Sequence, residues 1–323
     1  MQDQFERRIE YLRISITDRC NLRCQYCMPA SGVQWIAHED ILSYEEIYRL
    51  VKLSTHIGFK RFRLTGGEPL VRKGLVDFIS QVSQIPGVED LMLTTNGMLL
   101  PEMAFDLKAA GLNRVNISLD TFDPERFREM TRGGDVSKVL QGINRSLEAD
   151  LKPVKINVVV VRDFNLHELP KFFELARKYP IQVRFIELMP IGVSSDQRDE
   201  FVSIAEMKEV LGLKGLESQK KVYGGGPAEY VTLEGLEGDI GFISALSRHF
   251  CSTCNRMRLT ADGKLRPCLH SPKEIDLRHA LRNGSTDEEL LEILKQAVWN
   301  KPVEHHMNEE AWQGSRVMSQ IGG

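Results

Sequence analysis

The fold is decided by residues 12–27, which read Leu-Arg-Ile-Ser-Ile-Thr-Asp-Arg-Cys-Asn-Leu-Arg-Cys-Gln-Tyr-Cys. Apolar and polar residues alternate through residues 12–18, and this period of two predicts a β-strand with one apolar and one polar face. The three cysteines that follow are spaced Cys-x3-Cys-x2-Cys, and Pro29 closes the run. The same spacing could place buried cysteines on one face of a helix. The strand before the run and the proline after it favour a loop that presents three thiols.

Similar stretches recur along the first two-thirds of the chain, separated by helix-like segments. The predicted strands are residues 12–18, 61–65, 91–95, 114–120, 154–161 and 182–188. The predicted helices lie near residues 44–57, 71–84, 102–110, 135–149 and 167–178. Repeated alternation of strands and helices predicts a parallel sheet in an α/β fold.

Many of the predicted strands carry polar residues on one face, as Arg13, Arg63 and Lys155 illustrate. Parallel strands covered on both faces are usually apolar throughout. The interior of a filled eight-stranded barrel is usually packed with branched aliphatic residues. If helices cover the apolar faces, the polar faces must line an interior. We therefore expect an incomplete (β/α)6 barrel, open enough for its lumen to hold a polar ligand. The alternative is an antiparallel sheet with one wet face, which the intervening helices disfavour.

The pattern changes after Met189-Pro190. Residues 212–241 are rich in glycine, and the densest point is Gly224-Gly225-Gly226-Pro227. Short strands are predicted near residues 229–233 and 239–244, and a helix near 286–298. We divide the chain into a barrel over residues 1–190 and a C-terminal region over residues 191–323 that closes it.

Composition excludes several classes of partner. The chain of 323 residues has 42 Lys+Arg against 45 Asp+Glu, a net charge of −3, and this balance does not predict nucleic-acid or anionic-membrane binding. The first residues lack the apolar stretch of a signal peptide. The longest aliphatic run, residues 158–161, is far shorter than the roughly 20 residues of a membrane span. We expect a cytoplasmic protein with no nucleic-acid or membrane partner.

The six cysteines fall into two groups of three that lie more than two hundred residues apart in sequence, namely Cys20, Cys24, Cys27 and Cys251, Cys254, Cys268. Disulfide frameworks belong to short secreted chains, so two metal or cluster sites are the first hypothesis. Structural zinc usually takes four ligands, whereas three thiolates in a short loop suit a [4Fe–4S] cluster with one open iron. For the second group, a zinc site completed by His249 or His270 is the alternative.

Two motifs together carry a resemblance to a known superfamily. The Cys20-x3-Cys24-x2-Cys27 run, followed about forty residues later by Gly66-Gly67-Glu68-Pro69, resembles the radical S-adenosylmethionine (SAM) enzymes. The resemblance narrows to the GTP 3′,8-cyclase family, also called the molybdenum cofactor biosynthesis protein A family, over essentially the full chain. Its further pieces are Leu93-Thr-Thr-Asn-Gly97, Asn116-Ile-Ser-Leu-Asp120, Cys251-x2-Cys254-x13-Cys268 and the terminal Gly322-Gly323.

This resemblance implies an activity. Two [4Fe–4S] clusters and SAM would be the cofactors, and one cluster would cleave SAM to methionine and a 5′-deoxyadenosyl radical. The radical would abstract the ribose 3′-hydrogen of GTP, and the carbon radical would attack C8 of guanine. The product, (8S)-3′,8-cyclo-7,8-dihydroguanosine 5′-triphosphate, begins molybdenum cofactor biosynthesis. Implied partners are a flavodoxin- or ferredoxin-like electron donor, cyclic pyranopterin monophosphate synthase downstream, and a second copy of the chain in a homodimer.

The resemblance also assigns residues. It implies that Cys20, Cys24 and Cys27 hold the SAM cluster, that Tyr26, Gly67, Ser118 and Met189 contact SAM, and that Arg13, Arg63, Thr94 and Lys155 bind GTP. Cys251, Cys254 and Cys268 would hold the second cluster, with Arg256 and Arg258 beside the guanine, and these arginines together with Gly322 and Gly323 would serve catalysis. The sequence has no Gly-x4-Gly-Lys-Ser/Thr loop, so cations on strands would have to bind the phosphates.

Two alternatives to the cyclase reaction are a radical SAM peptide- or sulfatase-maturing enzyme, which would need more C-terminal cysteines, and a non-catalytic zinc-binding scaffold. Other polar residues have structural interpretations. Asp18, Arg184 and Glu187 are expected to form ion pairs around the lumen. His305-His306 is interpreted as a solvated surface pair. Without the resemblance, the Arg256-Met-Arg258 segment would be interpreted as an exposed strand edge.

Overall fold

The computed structural model describes residues 1–194, 198–216, 226–231, 233–307 and 316–322. Six strands form consecutive parallel pairs, so their spatial order is their order in sequence. They are β1 (Tyr11–Thr17), β2 (Arg61–Gly66), β3 (Asp90–Thr95), β4 (Arg114–Ser118), β5 (Val154–Val160) and β6 (Ile181–Glu187). All six predicted strands are confirmed.

Helices connect these strands and follow them toward the C-terminus. They are α1 (Tyr44–His56), α2 (Leu75–Ser83), α3 (Leu100–Ala109), α4 (Pro124–Thr131), α5 (Val136–Glu148), α6 (Arg162–Asn165), α7 (Leu169–Lys178), α8 (Ile204–Val210), α9 (Leu277–Arg282) and α10 (Asp287–Trp299). α1 begins at a capping box, because Ser43 Oγ accepts from the Glu46 amide and the Glu46 carboxylate accepts from the Ser43 amide. The short helix α4, which starts after the N-cap Asp123, was not predicted.

Strands from the C-terminal region extend both edges of the six-stranded array. They are β7 (Glu229–Val231), β8 (Asp239–Ile243), β9 (Arg256–Leu259), β10 (Lys264–Arg266) and β11 (Ile275–Asp276). β9 pairs parallel with β1, and β8 pairs parallel with β6, giving the order β11-β10-β9-β1-β2-β3-β4-β5-β6-β8-β7. The Arg256–Arg258 segment is therefore an interior strand, and its interpretation as an exposed edge is wrong. The boundary at residue 190 stays a prediction.

The polar strand faces line the interior, as the alternation predicted. Apolar residues of every central strand are fully buried in one core with the helices, among them Ile14, Phe62, Leu93, Ile117, Ile156 and Val183. The register places polar residues side by side on the opposite face. One row runs Arg258, Arg13, Arg63, Met92, Arg114, and another runs Thr94, Asn116, Lys155, Gln182, Asp239. The fold is an incomplete (β/α)6 barrel with a polar lumen.

The helices are short as well as amphipathic. Across the described residues, none combines the length and the apolar character that crossing a membrane requires.

Candidate active site

One cavity of about 300 Å³ occupies the barrel lumen, and all six cysteines line it. The two groups that are so distant in sequence therefore face the same space. This follows from the topology, because β1 directs the first group into the loop after it, and β9, which flanks the second group, pairs with β1. All six thiols are free of disulfides.

The first cysteine loop rests on the C-terminal end of α4. The Arg23 amide donates to Thr131 O at 3.0 Å, and the Gln25 amide donates to Met130 O at 2.9 Å. Arg132 spans the loop, because its Nη1 donates to the carbonyls of both Arg23 and Met28, at 2.7 and 2.9 Å. Arg132 has a φ of 53°, a left-handed conformation that is uncommon outside glycine.

The first three thiols need a cationic partner in order to ionise. Burial raises the pKa of Cys20 to about 11 and that of Cys27 to about 12, and burial followed by the charge of Cys27 raises the pKa of Cys24 well above its ordinary value. A bound metal centre deprotonates coordinating thiols by supplying positive charge. Three adjacent thiols in such a pocket therefore fit an iron–sulfur cluster.

The second cysteine group lies among cations. Cys251 begins a 3₁₀ turn, and the Cys254 amide donates to Cys251 O at 3.1 Å. Burial raises the pKa of Cys254, but the charges of Arg256 and Lys301 and the hydrogen bonds from Arg256 outweigh it, so that the pKa falls to about 6. Burial also raises the pKa of Cys251. This site stabilises at least one thiolate before any metal arrives.

The described residues include no group of three or more His, Cys, Asp or Glu side chains placed to hold a single metal ion. A structural zinc site needs its ligands to converge on one atom, whereas the thiolates of a [4Fe–4S] cluster bind different irons. Nε2 of His249, one of the two candidate zinc ligands, lies 3.5 Å from Glu304 Oε2. Two cysteine groups of this kind fit two clusters better than two zinc ions.

The four residues predicted to contact SAM all line the cavity. Tyr26 Oη donates to Asp120 Oδ2 at 2.8 Å, and burial raises the pKa of Asp120 to about 6 although this bond and the Val159 amide lower it. Gly67 lets the loop after β2 touch the cysteine loop, since a Cβ there would lie 2.3 Å from Arg19 O. Ser118 is the last residue of β4, and Met189 lies two residues after the end of β6.

The sequence reveals the motif that contains Glu68, but it does not predict that Glu68 links the end of β3 to the first cysteine loop. Its carboxylate accepts from the Asn96 amide at 2.7 Å, the Thr95 hydroxyl at 2.8 Å and the Leu70 amide at 3.0 Å. Burial raises its pKa to about 7. The Asn96 side-chain amide donates in turn to Asn21 Oδ1 at 2.8 Å, within the first cysteine loop. Glu68 thus orients the end of β3 against that loop.

Cations concentrate on the lumen side of the strands. Arg13, Arg63 and Arg258 line the cavity with Thr94 as predicted. Lys155 lies beyond the lining, 1% exposed, and burial together with the charges of neighbouring arginines lowers its pKa to about 5. Such a group ionises readily only when an anion binds nearby.

Arg184 is a lumen arginine that the predicted set of ligand-binding residues did not include. It lines the cavity, and its Nη2 donates to Asn157 Oδ1 at 2.5 Å. Its interpretation as half of an ion pair is therefore wrong for the described residues. The signal was present in the sequence, because Arg184 continues the polar face of β6.

Asp18 and Glu187 also bind backbone groups where ion pairs were expected. Asp18 Oδ2 accepts from the Ile36 amide at 2.7 Å. Glu187 Oε2 accepts from the amides of Leu246 and Ser247, at 2.8 and 3.0 Å. Both carboxylates fix loops at the rim of the lumen.

The interpretation of His305 as a surface residue is wrong as well. Its ring lines the cavity beside the second cysteine group, and its Nε2 lies 3.0 Å from Ala245 O. His306 is exposed, as expected.

The C-terminal tail enters the lumen. Gly322 O accepts from Arg13 Nη2 and from Arg258 Nη1, each at 2.9 Å, and Ile321 O accepts from Arg258 at 3.2 Å. Gly322 has a φ of +78°, and a Cβ there would lie 2.7 Å from Ser15 Oγ. The position thus requires glycine for two reasons. Gly323 lies outside the described residues.

Comparison with known proteins gives matches over the whole chain. The family model described as the Radical SAM superfamily matches residues 14–176, and the one described as Molybdenum Cofactor Synthesis C matches residues 181–307. Proteins named GTP 3′,8-cyclase from Heliobacterium modesticaldum, Moorella thermoacetica and Syntrophomonas wolfei are 54%, 52% and 51% identical to this chain. Each alignment covers 100% of both sequences.

Among solved structures, Streptococcus suis SuiB bound to S-adenosylmethionine matches with a TM-score of 0.66 over 92% of this chain and 67% of SuiB. At 14% identity this likeness shows the fold alone. The family is instead shown by the full-length relatives. The chain belongs to the radical SAM superfamily and, within it, to the GTP 3′,8-cyclase family.

Proposed function

We propose that this protein converts GTP into (8S)-3′,8-cyclo-7,8-dihydroguanosine 5′-triphosphate, the first step of molybdenum cofactor biosynthesis. The observation that carries the proposal is a single lumen lined by two cysteine groups and by arginines of four strands, Arg13, Arg63, Arg184 and Arg258. Such a lumen can hold two clusters and a polyanion at once. Relatives that are 47–54% identical over their full length carry the name of this reaction.

In this proposal Cys20, Cys24 and Cys27 hold the cluster that binds SAM, against Tyr26, Gly67, Ser118 and Met189. The cluster with SAM supplies a 5′-deoxyadenosyl radical for abstracting hydrogen. The protein's part is to bind, orient and shield. Asp120 holds the Tyr26 hydroxyl at 2.8 Å, and Glu68 holds the end of β3 against the cysteine loop.

GTP is held by cations on the strands that line the lumen. Arg13, Arg63 and Arg258 are at most partly exposed, and charge attraction to a triphosphate is stronger in a buried site than in water. Thr94 and Lys155 complete the set that the family implies. Holding the ribose C3′ between the radical source and the guanine C8 is a positioning task.

Cys251, Cys254 and Cys268 would hold the second cluster, which would help to bind the guanine, with Arg256 and Arg258 beside it. Arg256 already lies over the Phe250 ring, 4.8 Å from its centroid, as part of the wall next to Cys254. Gly322 takes part through Arg13 and Arg258, which both donate to its carbonyl, and the family resemblance implies a catalytic role for Gly323 as well.

We expect a cytoplasmic homodimer that takes electrons from a flavodoxin- or ferredoxin-like protein. Its product would pass to cyclic pyranopterin monophosphate synthase. The net charge of −3 supports the expectation that nucleic acid is not a partner.

The alternative of a peptide- or sulfatase-maturing enzyme has weaker support. The resemblance to SuiB concerns the fold, and the residues after 190 contain three cysteines, enough for one cluster with an open iron. Family membership argues against the zinc scaffold.

The testing experiment is anaerobic reconstitution with iron and sulfide, followed by incubation with SAM, a chemical reductant and one nucleotide. GTP should raise 5′-deoxyadenosine formation well above the level seen with ATP, CTP or no nucleotide. A cyclised product with the mass of GTP should appear with it. If 5′-deoxyadenosine formation is the same with all nucleotides, the assignment fails. A Cys251→Ala variant is the control, and it should lose the GTP dependence.

A further inference from the structure

Two buried cations contact the chain segments that carry the second cysteine group, and neither belongs to β1 to β6. Lys301, just after α10, is 2% exposed, and Arg7, in the N-terminal segment, is 7% exposed. Neither belongs to the sets that the family resemblance assigned. Burying a charge costs several kcal/mol unless it is compensated, so each position calls for an explanation.

Lys301 joins the chain segments that carry two of the cysteines. Its Nζ donates to Arg256 O at 2.9 Å and to Pro267 O at 2.5 Å. Arg256 lies two residues after Cys254, and Pro267 directly precedes Cys268. The side chain also lines the cavity that both thiols face.

Arg7 ties the third cysteine to the same region. Its Nη1 donates to Cys251 O at 2.9 Å and to Val303 O at 2.7 Å, and its Nη2 donates to Pro302 O at 2.6 Å. Arg7 therefore links the Cys251 turn to the two residues that follow Lys301. The backbone around all three cysteines is thus held by two side chains.

The two cations differ in how their charge is balanced. Asp3 accepts from Arg7 Nε at 2.7 Å, and its carboxylate neutralises the guanidinium. Within the described part of the chain, no carboxylate pairs with Lys301, which is bound by neutral carbonyls. Because its two acceptors flank Cys254 and Cys268, the thiols of the second group are placed to balance its charge.

We propose that Lys301 is a positioning residue of the second cluster: its ammonium fixes the Cys254 and Cys268 segments and supplies the buried positive charge that balances an anionic iron–sulfur centre, while Arg7 fixes Cys251. The inference rests on the proposed function only in that the second cysteine group holds a cluster. It does not depend on the identity of the nucleotide.

The test compares Lys301→Met, which keeps the length and removes the charge, with Lys301→Arg, which keeps the charge. Lys295→Met on the exposed face of α10 is the matched control. Full-length protein is reconstituted anaerobically, iron per chain is measured, and both clusters are titrated by EPR. The cluster whose signal changes on adding SAM is assigned to the first group.

Wild type should hold about eight irons, as two four-iron clusters require. The Lys301→Met variant should show one of two results. Its iron content should fall to about four per chain with the SAM-responsive signal retained, or it should stay at about eight per chain while the midpoint potential of the other cluster alone becomes more negative. A negative shift follows because losing a nearby positive charge disfavours the reduced, more anionic state. Lys301→Arg, which keeps the charge, should largely restore the wild-type iron content and potential. Lys295→Met should resemble wild type.

Eight irons with both potentials unchanged in Lys301→Met would overturn the inference. Equal loss of both clusters without rescue by arginine would also overturn it, because the role would then be general packing. If the Lys301 variants show these effects but the wild-type protein forms no GTP-dependent 5′-deoxyadenosine, the proposed function fails and the inference stands. If wild type holds only the SAM-responsive cluster, the inference fails.

Discussion

Lys155 is the residue at which burial has the clearest thermodynamic consequence. Burial and three neighbouring arginines lower its pKa from 10.5 to about 5, so at pH 7 the ligand-free side chain is neutral. Between about pH 5 and 10.5 the unfolded chain binds a proton at Lys155 and the folded, ligand-free chain does not. This group therefore makes folding stability rise with pH over that range. A triphosphate in the lumen reverses the balance by favouring the charged ammonium.

We therefore predict that GTP binding at pH 7 takes up a proton at Lys155. Calorimetry in two buffers of different ionisation enthalpy should show uptake of roughly one proton, and affinity should weaken as pH rises. Lys155→Met should remove the uptake, whereas Lys178→Met on the protein surface should leave it unchanged. Uptake that persists in Lys155→Met would assign the proton to another group.

Arg256 and Arg258 are predicted to act on GTP and not on SAM cleavage. The double variant Arg256→Ala with Arg258→Ala should reduce GTP cyclisation by about 10²-fold or more, the scale of removing charged donors from a buried site. Slow, uncoupled formation of 5′-deoxyadenosine should remain. Both products are measured in one chromatographic assay, with exposed Arg248→Ala as control. Unaltered cyclisation would refute the role of the pair.

At the scale of elements, the tail segment around Gly322 depends on its fit between β1 and β2. Gly322→Ala adds a Cβ 2.7 Å from Ser15 Oγ, at a φ of +78° that costs an L-residue roughly 1 kcal/mol or more. Since 1.4 kcal/mol is a factor of about ten, a cost of roughly 1 kcal/mol or more should lower GTP turnover by about fivefold or more, while iron content is unchanged.

Gly284→Ala is the matched control for the tail variant. Gly284 has a φ of +81°, and no atom lies within 4 Å of the position that a Cβ would take, so this variant carries the backbone strain without the clash. It should retain near-normal turnover. Equal activity in Gly322→Ala and wild type would mean that the observed tail position is not the one used in catalysis.

Most of the elements that the sequence predicted correctly have long periodic patterns, and the short strands β7 and β8 were predicted as well. β1 and β5 each have seven residues, enough to show alternation, and α1 carries a capping box. β9 and β10 have four and three residues, too few for a period to be recognised, and their pairing depends on contacts with a strand far away in sequence.

For the whole molecule, the decisive feature is that the C-terminal strands flank both edges of the barrel. The pairing of β9 with β1 brings two cysteine groups from opposite ends of the chain to one cavity. Sequence motifs identified both groups and most of the lumen cations. They did not reveal Lys301 or Arg7, because single basic residues outside a periodic element have no pattern, and only packing shows that they are buried. Arg184 was placed at the lumen, but as half of an ion pair and not as a ligand-binding residue.

Net charge was also a poor guide to the interior. The chain has a net charge of −3, yet its lumen concentrates arginines from β1, β2, β6 and β9. Acidic residues elsewhere offset them in the sum. The positive charge that can bind a polyanionic substrate is therefore local to the lumen, and the net charge of the whole chain does not reveal it.

The central claim is that one lumen brings the ribose of GTP to the radical source at the first cysteine group. It is tested most directly by incubating the reconstituted enzyme with SAM, reductant and GTP carrying deuterium at C3′. Mass spectrometry of the 5′-deoxyadenosine should show one deuterium, transferred from the substrate. 5′-Deoxyadenosine without deuterium, while GTP is consumed, would contradict the account.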